Sequence, residues 1–72
     1  ERRFKGATGD TPLIYLQRVR VEAAKHLLET QPLSFDEITY RVGYEDNSAF
    51  RKIFRKQTGL RPKEYRRRFQ RV

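Results

Sequence analysis

The chain has 72 residues, 36% of them hydrophobic and 36% charged, and a formal net charge of +8. So short a chain builds only a thin core of marginal stability, and its lack of cysteine excludes a disulfide framework and a thiolate metal site. No apolar run approaches the roughly 18 residues that a membrane span needs, and no signal peptide is visible.

Glycine and proline divide the chain at Gly9, Pro12, Pro32, Gly43, Gly59 and Pro62. The patterns between these stops are helical, without strand alternation. Residues 1–9 read as the tail of a helix closed by Thr8-Gly9. With no initiator methionine ahead of them, the chain reads as a fragment whose preceding helices lie upstream.

Thr11-Pro12 predicts the start of a second helix, since Thr can cap free N–H groups and Pro suits the first helical position. Residues 10–31 hold this helix, which Gln31-Pro32 stops. Its apolar positions Leu13, Ile14, Leu16, Val19, Val21, Ala23, Ala24, Leu27 and Leu28 spread over roughly 220°. A surface helix needs only about a 100° stripe, so the arc predicts packing on two sides. Arg20 falls inside the arc and is expected to pair with Asp36 or Glu37.

Residues 34–42 predict a short helix opened by a capping box of Ser34 and Glu37, with Phe35, Ile38 and Val42 on one face. Gly43 should end it at positive φ. Tyr44-Glu45-Asp46 is a turn, and Asp46 caps the next helix, 47–58, whose Phe50, Ile53 and Phe54 face inward. Thr58-Gly59 closes that helix. Pro62 opens the last one, with Tyr65 and Phe69 one turn apart.

One pattern occurs twice. The skeleton F-[KR]-x-x-T-G-x-x-P-x-x-Y spans residues 4–15 and 54–65. It reads as a helix end, a glycine cap and a proline-started helix with an aromatic packing back. A structural module is thus used twice.

Charge is divided unevenly. Residues 1–49 carry seven basic and eight acidic side chains, whereas 50–72 carry ten basic side chains against Glu64. Such a block suits a polyanion. Two short helices around a glycine turn, the second one basic, are the pattern of a helix-turn-helix. On helix 47–58 the side opposite the apolar residues bears Ser48, Lys52 and Arg55, flanked by Ala49, Arg51 and Lys56, with no acidic residue between them. Asn47, Ser48, Ala49, Arg51 and Lys52 are the candidates for base edges in the major groove, and Arg55 and Lys56 for phosphates.

These residues resemble the AraC/XylS family of transcription regulators. The strings are F-K-x-x-T-G-x-T-P-x-x-Y-L at 4–16, R-x-x-x-A-x-x-L-L at 20–28, I-x-x-x-V-G-Y at 38–44, F-x-x-x-F-[KR] at 50–55 and G-x-x-P-x-x-Y-R at 59–66. The resemblance implies an all-α, homeodomain-like helix-turn-helix bundle with a long linker helix. Residues 1–9 would be the tail of the first recognition helix, 10–31 the linker and 32–72 the second helix-turn-helix subdomain. Over residues 12–29, at about 1.5 Å per residue, the linker helix is about 27 Å long, which suits recognition helices about one DNA turn, roughly 34 Å, apart.

The resemblance further implies a sequence-specific regulator of bacterial transcription acting in the cytoplasm on double-stranded DNA. It adds Arg2 as a base contact and Lys5 as a phosphate contact, an effector domain upstream, and RNA polymerase as a partner. No cofactor or metal is implied. One departure stands out: Arg61 replaces the family's Ser or Thr before Pro62. The last helix should therefore lack its N-cap and fray, with Arg61 free for a phosphate.

Other classes fit less well. No cysteine, no glycine-rich phosphate loop and the single histidine His26 leave an enzyme without a constellation. A basic membrane-surface or protein-interaction helix is the alternative, resting on Arg61–Arg71. Its apolar face would comprise only Tyr65, Phe69 and Val72. RNA would want an exposed aromatic platform that the sequence does not offer.

Overall fold

In the computed structural model of the chain, residues 11–71 are described. They form four helices and no strand: α1 (Pro12–Thr30), α2 (Phe35–Arg41), α3 (Asn47–Thr58) and α4 (Pro62–Phe69). The all-α expectation holds. The expected helix tail at 1–9 and the first copy of the repeat as far as Asp10 lie outside the described residues.

Each helix start has a local cause. Thr11 Oγ1 accepts from Ile14 N–H at 3.2 Å, with Pro12 in the first turn of α1. Ser34 Oγ accepts from Glu37 N–H at 3.2 Å. Asp46 Oδ1 accepts from the N–H groups of Ser48 at 3.0 Å and Ala49 at 3.3 Å. These bonds satisfy donors that a helix start otherwise leaves without partners. The expected capping box on α2 is only half present. Glu37 bonds forward to Arg41 Nε at 3.4 Å, an i,i+4 pair along the exposed face, instead of turning back to the cap.

At Arg61 the halves are reversed. A guanidinium has no acceptor, so the Arg61 side chain cannot cap. Glu64 Oε1 instead accepts from Arg61 N–H at 3.0 Å and secures the start of α4. The expected fraying is thus countered, and that bond, helped by nearby arginines, holds the Glu64 carboxyl below the usual carboxylate range. The turns end on Gly43 at φ 99° and Gly59 at φ 79°, left-handed conformations that side chains with a Cβ rarely adopt.

The core lies where the four helices meet. Val21, Ala24 and Leu28 of α1 face Ile38, Phe50, Phe54 and Tyr65. Phe50 and Phe54 have no exposed surface, and burying such a side chain stabilises by roughly 1.5–3 kcal/mol. Phe35 stacks on Phe50 with centroids 5.6 Å apart, and Phe54 meets Tyr65 edge-on at 5.7 Å. Only one side of the wide arc of α1 serves this core. Leu13, Ile14, Leu16 and Val19 remain exposed among the described residues, Leu13 at 63%.

A clasp fixes α4 to the end of α1. The Tyr65 hydroxyl donates to the Glu29 carboxylate, which also receives Arg71 Nη2 at 2.8 Å. Arg66 donates from Nε to Leu28 O at 3.2 Å and from Nη2 to Gln31 O at 2.8 Å. The last turn of α1 has no basic residue of its own, so Arg66 supplies the positive charge that helix C-termini favour. Burial and the negative Glu29 raise the Tyr65 hydroxyl well above its ordinary range, and the Tyr65 hydrogen bond holds Glu29 below its own.

Candidate nucleic-acid interface

The interface is set by how α2 presents α3. Phe50 and Phe54 anchor one side of α3 in the core, so its opposite side turns outward. Ser48, Lys52 and Arg55 are exposed there, Lys56 is exposed on one flank and Arg51 on the other, and Ala49 is half-buried. Among the described residues, the side chains of Lys52, Arg55, Lys56, Arg61, Lys63, Arg67 and Arg68 have no hydrogen bond or ion pair. Arg61, Arg55 and Arg67 all act on the Glu64 carboxylate, helping to hold it below its usual range. The clustered cations otherwise repel one another, a state that an external anion relieves.

Two of the sequence-predicted residues sit differently. Asn47 is half-buried, and its Nδ2 donates to Asp36 Oδ1 at 2.6 Å and to Thr39 Oγ1 at 3.3 Å. Its Oδ1 accepts from Arg51 Nη2 at 2.9 Å. The Arg51 guanidinium also lies 5.1 Å from the centroid of the Phe35 ring, a cation–π distance. Asn47 and Arg51 are therefore bound within the fold, while Ser48 and Lys52 stand free of it. Arg2 and Lys5 lie outside the described residues.

Arg20 requires a correction. It pairs with neither Asp36, which accepts from Asn47, nor Glu37, which accepts from Arg41. Its Nη1 donates instead to Gly43 O at 3.3 Å, and its guanidinium lies 5.0 Å from the Tyr44 ring centroid. A side chain of α1 thus braces the turn between the two helices. Sequence reasoning also missed the Glu29–Tyr65–Arg71 clasp and the capping role of Arg66. The available signal was the last turn of α1, which lacks a cation and must draw one from elsewhere.

Among the described residues no group of His, Cys, Asp and Glu could hold a metal ion, and no helix is long and apolar enough to cross a membrane.

Two short helices meeting across a left-handed glycine, the second anchored by its aromatics and basic on its outer side, define a helix-turn-helix unit. The comparisons carry the identification further. A family model described as a helix-turn-helix domain matches residues 1–68. The HTH-type transcriptional activator RhaR of Salmonella arizonae is 38% identical over 63 residues, covering 88% of this chain and 22% of that protein.

Among solved structures, the DNA-binding domain of AdpA in complex with a target DNA is similar with a TM-score of 0.87 and 43% identity, over 94% of this chain and 61% of that one. The C-terminal domain of AraT, a response regulator from Geobacillus stearothermophilus, has a TM-score of 0.91 and 34% identity, over 99% and 59%. The chain belongs to the AraC/XylS family of helix-turn-helix transcription regulators. It spans about a fifth of the length of the curated relatives it matches, 22%.

Proposed function

We propose that this chain binds double-stranded DNA by laying α3 in the major groove, as the DNA-reading part of a longer transcription regulator. The observation that carries the reading is the outward side of α3. It combines Ser48 and Lys52, free to bond, with the unpaired cations Arg55 and Lys56 on a helix whose other side is locked in the core. Ser48, Ala49 and Lys52 read base edges, and Arg2, outside the described residues, joins them. Arg55, Lys56 and Arg61, with Lys5, meet phosphates, which position the protein without carrying sequence information.

Family membership and the activator function named for RhaR support the rest of this reading. An effector domain lies upstream, RNA polymerase is a partner, and the protein works in the cytoplasm. A membrane-surface helix fits poorly, since α4 turns Tyr65 into the core and sets Phe69 against it in a tilted pair with centroids 4.6 Å apart.

Selection from a pool of random duplexes by the full-length protein tests the proposal. The expected result is one enriched motif that degenerates at a single base pair when Lys52→Ala is selected in parallel. No enrichment, or an unchanged motif with Lys52→Ala, would contradict it.

A further inference from the structure

Beside α3 lies an open groove of roughly 350 Å³, lined by Ser34, Phe35, Arg51, Pro62, Lys63 and Arg66, with Leu28 at its base. Four elements meet there: the end of α1, the start of α2, the first half of α3 and the start of α4. Three of its lining side chains are cations, and none is a carboxylate. Arg66 spends Nε and Nη2 on the carbonyls of Leu28 and Gln31. Lys63 is exposed and has no hydrogen-bonding partner among the described residues. Ser34 Oγ accepts from Glu37 N–H, which leaves its hydroxyl proton to donate.

Arg51 is held at this groove rather than on the outward side of α3. Its position is about 100° around the helix from Phe50, at the border between the buried and outward sides. Two contacts keep it there, the bond from Nη2 to Asn47 Oδ1 and the face of Phe35. Asn47 is fixed in turn by Asp36 Oδ1 at 2.6 Å. One edge of the guanidinium is consumed by Asn47, and the remaining N–H groups are free for an anion. A helix lying in the major groove has base edges beneath it and a sugar-phosphate strand along each flank. A preset guanidinium on a flank, with an ammonium facing the same groove, matches a phosphate and not a base.

We propose that Arg51 and Lys63 together seat one backbone phosphate of bound DNA, and that Asp36 and Asn47 are positioning residues that hold the guanidinium for it. The proposal rests on the DNA-binding reading above and moves Arg51 and Asn47 from base contacts to the phosphate seat. The Ser34 hydroxyl donates to the same phosphate.

The test is fluorescence anisotropy of the full chain with a labelled random-sequence duplex across a range of salt, together with duplex selection. In the double variant Arg51→Gln with Lys63→Gln, the exponent of the salt dependence should fall by about 0.9, the share of one phosphate rather than two. The selected motif should be unchanged. Asp36→Asn should bind more tightly than Asp36→Ala. Both remove the same charge, but only the amide retains an acceptor for Asn47.

An exponent unchanged in the double variant would overturn the seat. So would loss of preference at one base pair in Arg51→Gln, which would make Arg51 a base reader. Equal binding by the two Asp36 variants would overturn the positioning role. The underlying reading fails by a different result, a wild-type chain whose duplex binding is absent or insensitive to salt.

Discussion

The cations of α1 and α2 and those of α3 and α4 are used in opposite ways. In the first half, Lys25 pairs with Glu22 at 2.9 Å, Arg41 with Glu37 at 3.4 Å, and Arg20 bonds the carbonyl of Gly43. In the second half, Lys52, Arg55, Lys56, Arg61, Lys63, Arg67 and Arg68 have no such partner among the described residues. Arg51, Arg66 and Arg71 are the instructive exceptions: Arg66 and Arg71 reach back to α1, and Arg51 is held by Asn47 and the Phe35 ring. A cation that serves the fold finds an acceptor within it. A row of cations left without one indicates an anion that comes from outside. The comparison therefore separates structural charge from recognition charge more sharply than net charge does.

The largest expected effect tests the scaffold shared by both halves. Phe54→Ala leaves a cavity beneath α3 and should lower stability by about 3–5 kcal/mol in chemical denaturation, enough to unfold so small a domain. Next comes the contrast in charge itself. Lys52→Ala should remove about 1–3 kcal/mol of discrimination at one base pair. Lys25→Ala, whose partner is Glu22 on the same helix, should leave duplex affinity and sequence preference unchanged. Equal effects of the two would erase the distinction between the halves.

The two turn glycines give a smaller effect. Gly43→Ala and Gly59→Ala each force a Cβ into left-handed backbone, costing about 1–2 kcal/mol. At Gly59 nothing lies within 4 Å of the added atom, whereas at Gly43 it would stand 3.2 Å from the Arg20 guanidinium. Thermal melts should therefore rank Gly43→Ala below Gly59→Ala, and Arg20→Ala should narrow the gap.

The clasp adds a pH dependence. Glu29 is held below the ordinary carboxylate range, foremost by Tyr65 and with help from Arg71. Its contribution is complete above its unfolded-state value of about 4.3 and is lost as the pH falls through the lower folded-state value. Glu29→Gln should flatten that acid limb of the melting profile. The smallest effect is expected at the exposed pair of Arg41 and Glu37. Removing either should shift stability by no more than about 0.5 kcal/mol.

What the sequence made legible was mostly local. Thr11, Ser34 and Asp46 cap donors two or three residues ahead, and Gly43 and Gly59 end helices at positive φ, so a short window contains both cause and effect. The core positions Phe50 and Phe54 follow from helical spacing. The partners of Arg20 and Arg66 were not legible, because the contacts cross 23 and 38 residues and depend on which carboxylates and carbonyls remain unused after folding. The same limit affected the site. Ser48 and Lys52 have the free outward placement expected of them, but the demands of Asp36 on Asn47, and of Asn47 on Arg51, emerge only when α2 and α3 are packed.

Backbone amide NMR of the full chain, titrated with a duplex carrying the selected motif, probes the major-groove placement of α3 most directly. Shifts should concentrate on residues 46–56 of the turn and α3 and on the start of α4, and leave the Glu22–Lys25 face of α1 still. Shifts centred on that face of α1, with Ser48 and Lys52 unmoved, would contradict it.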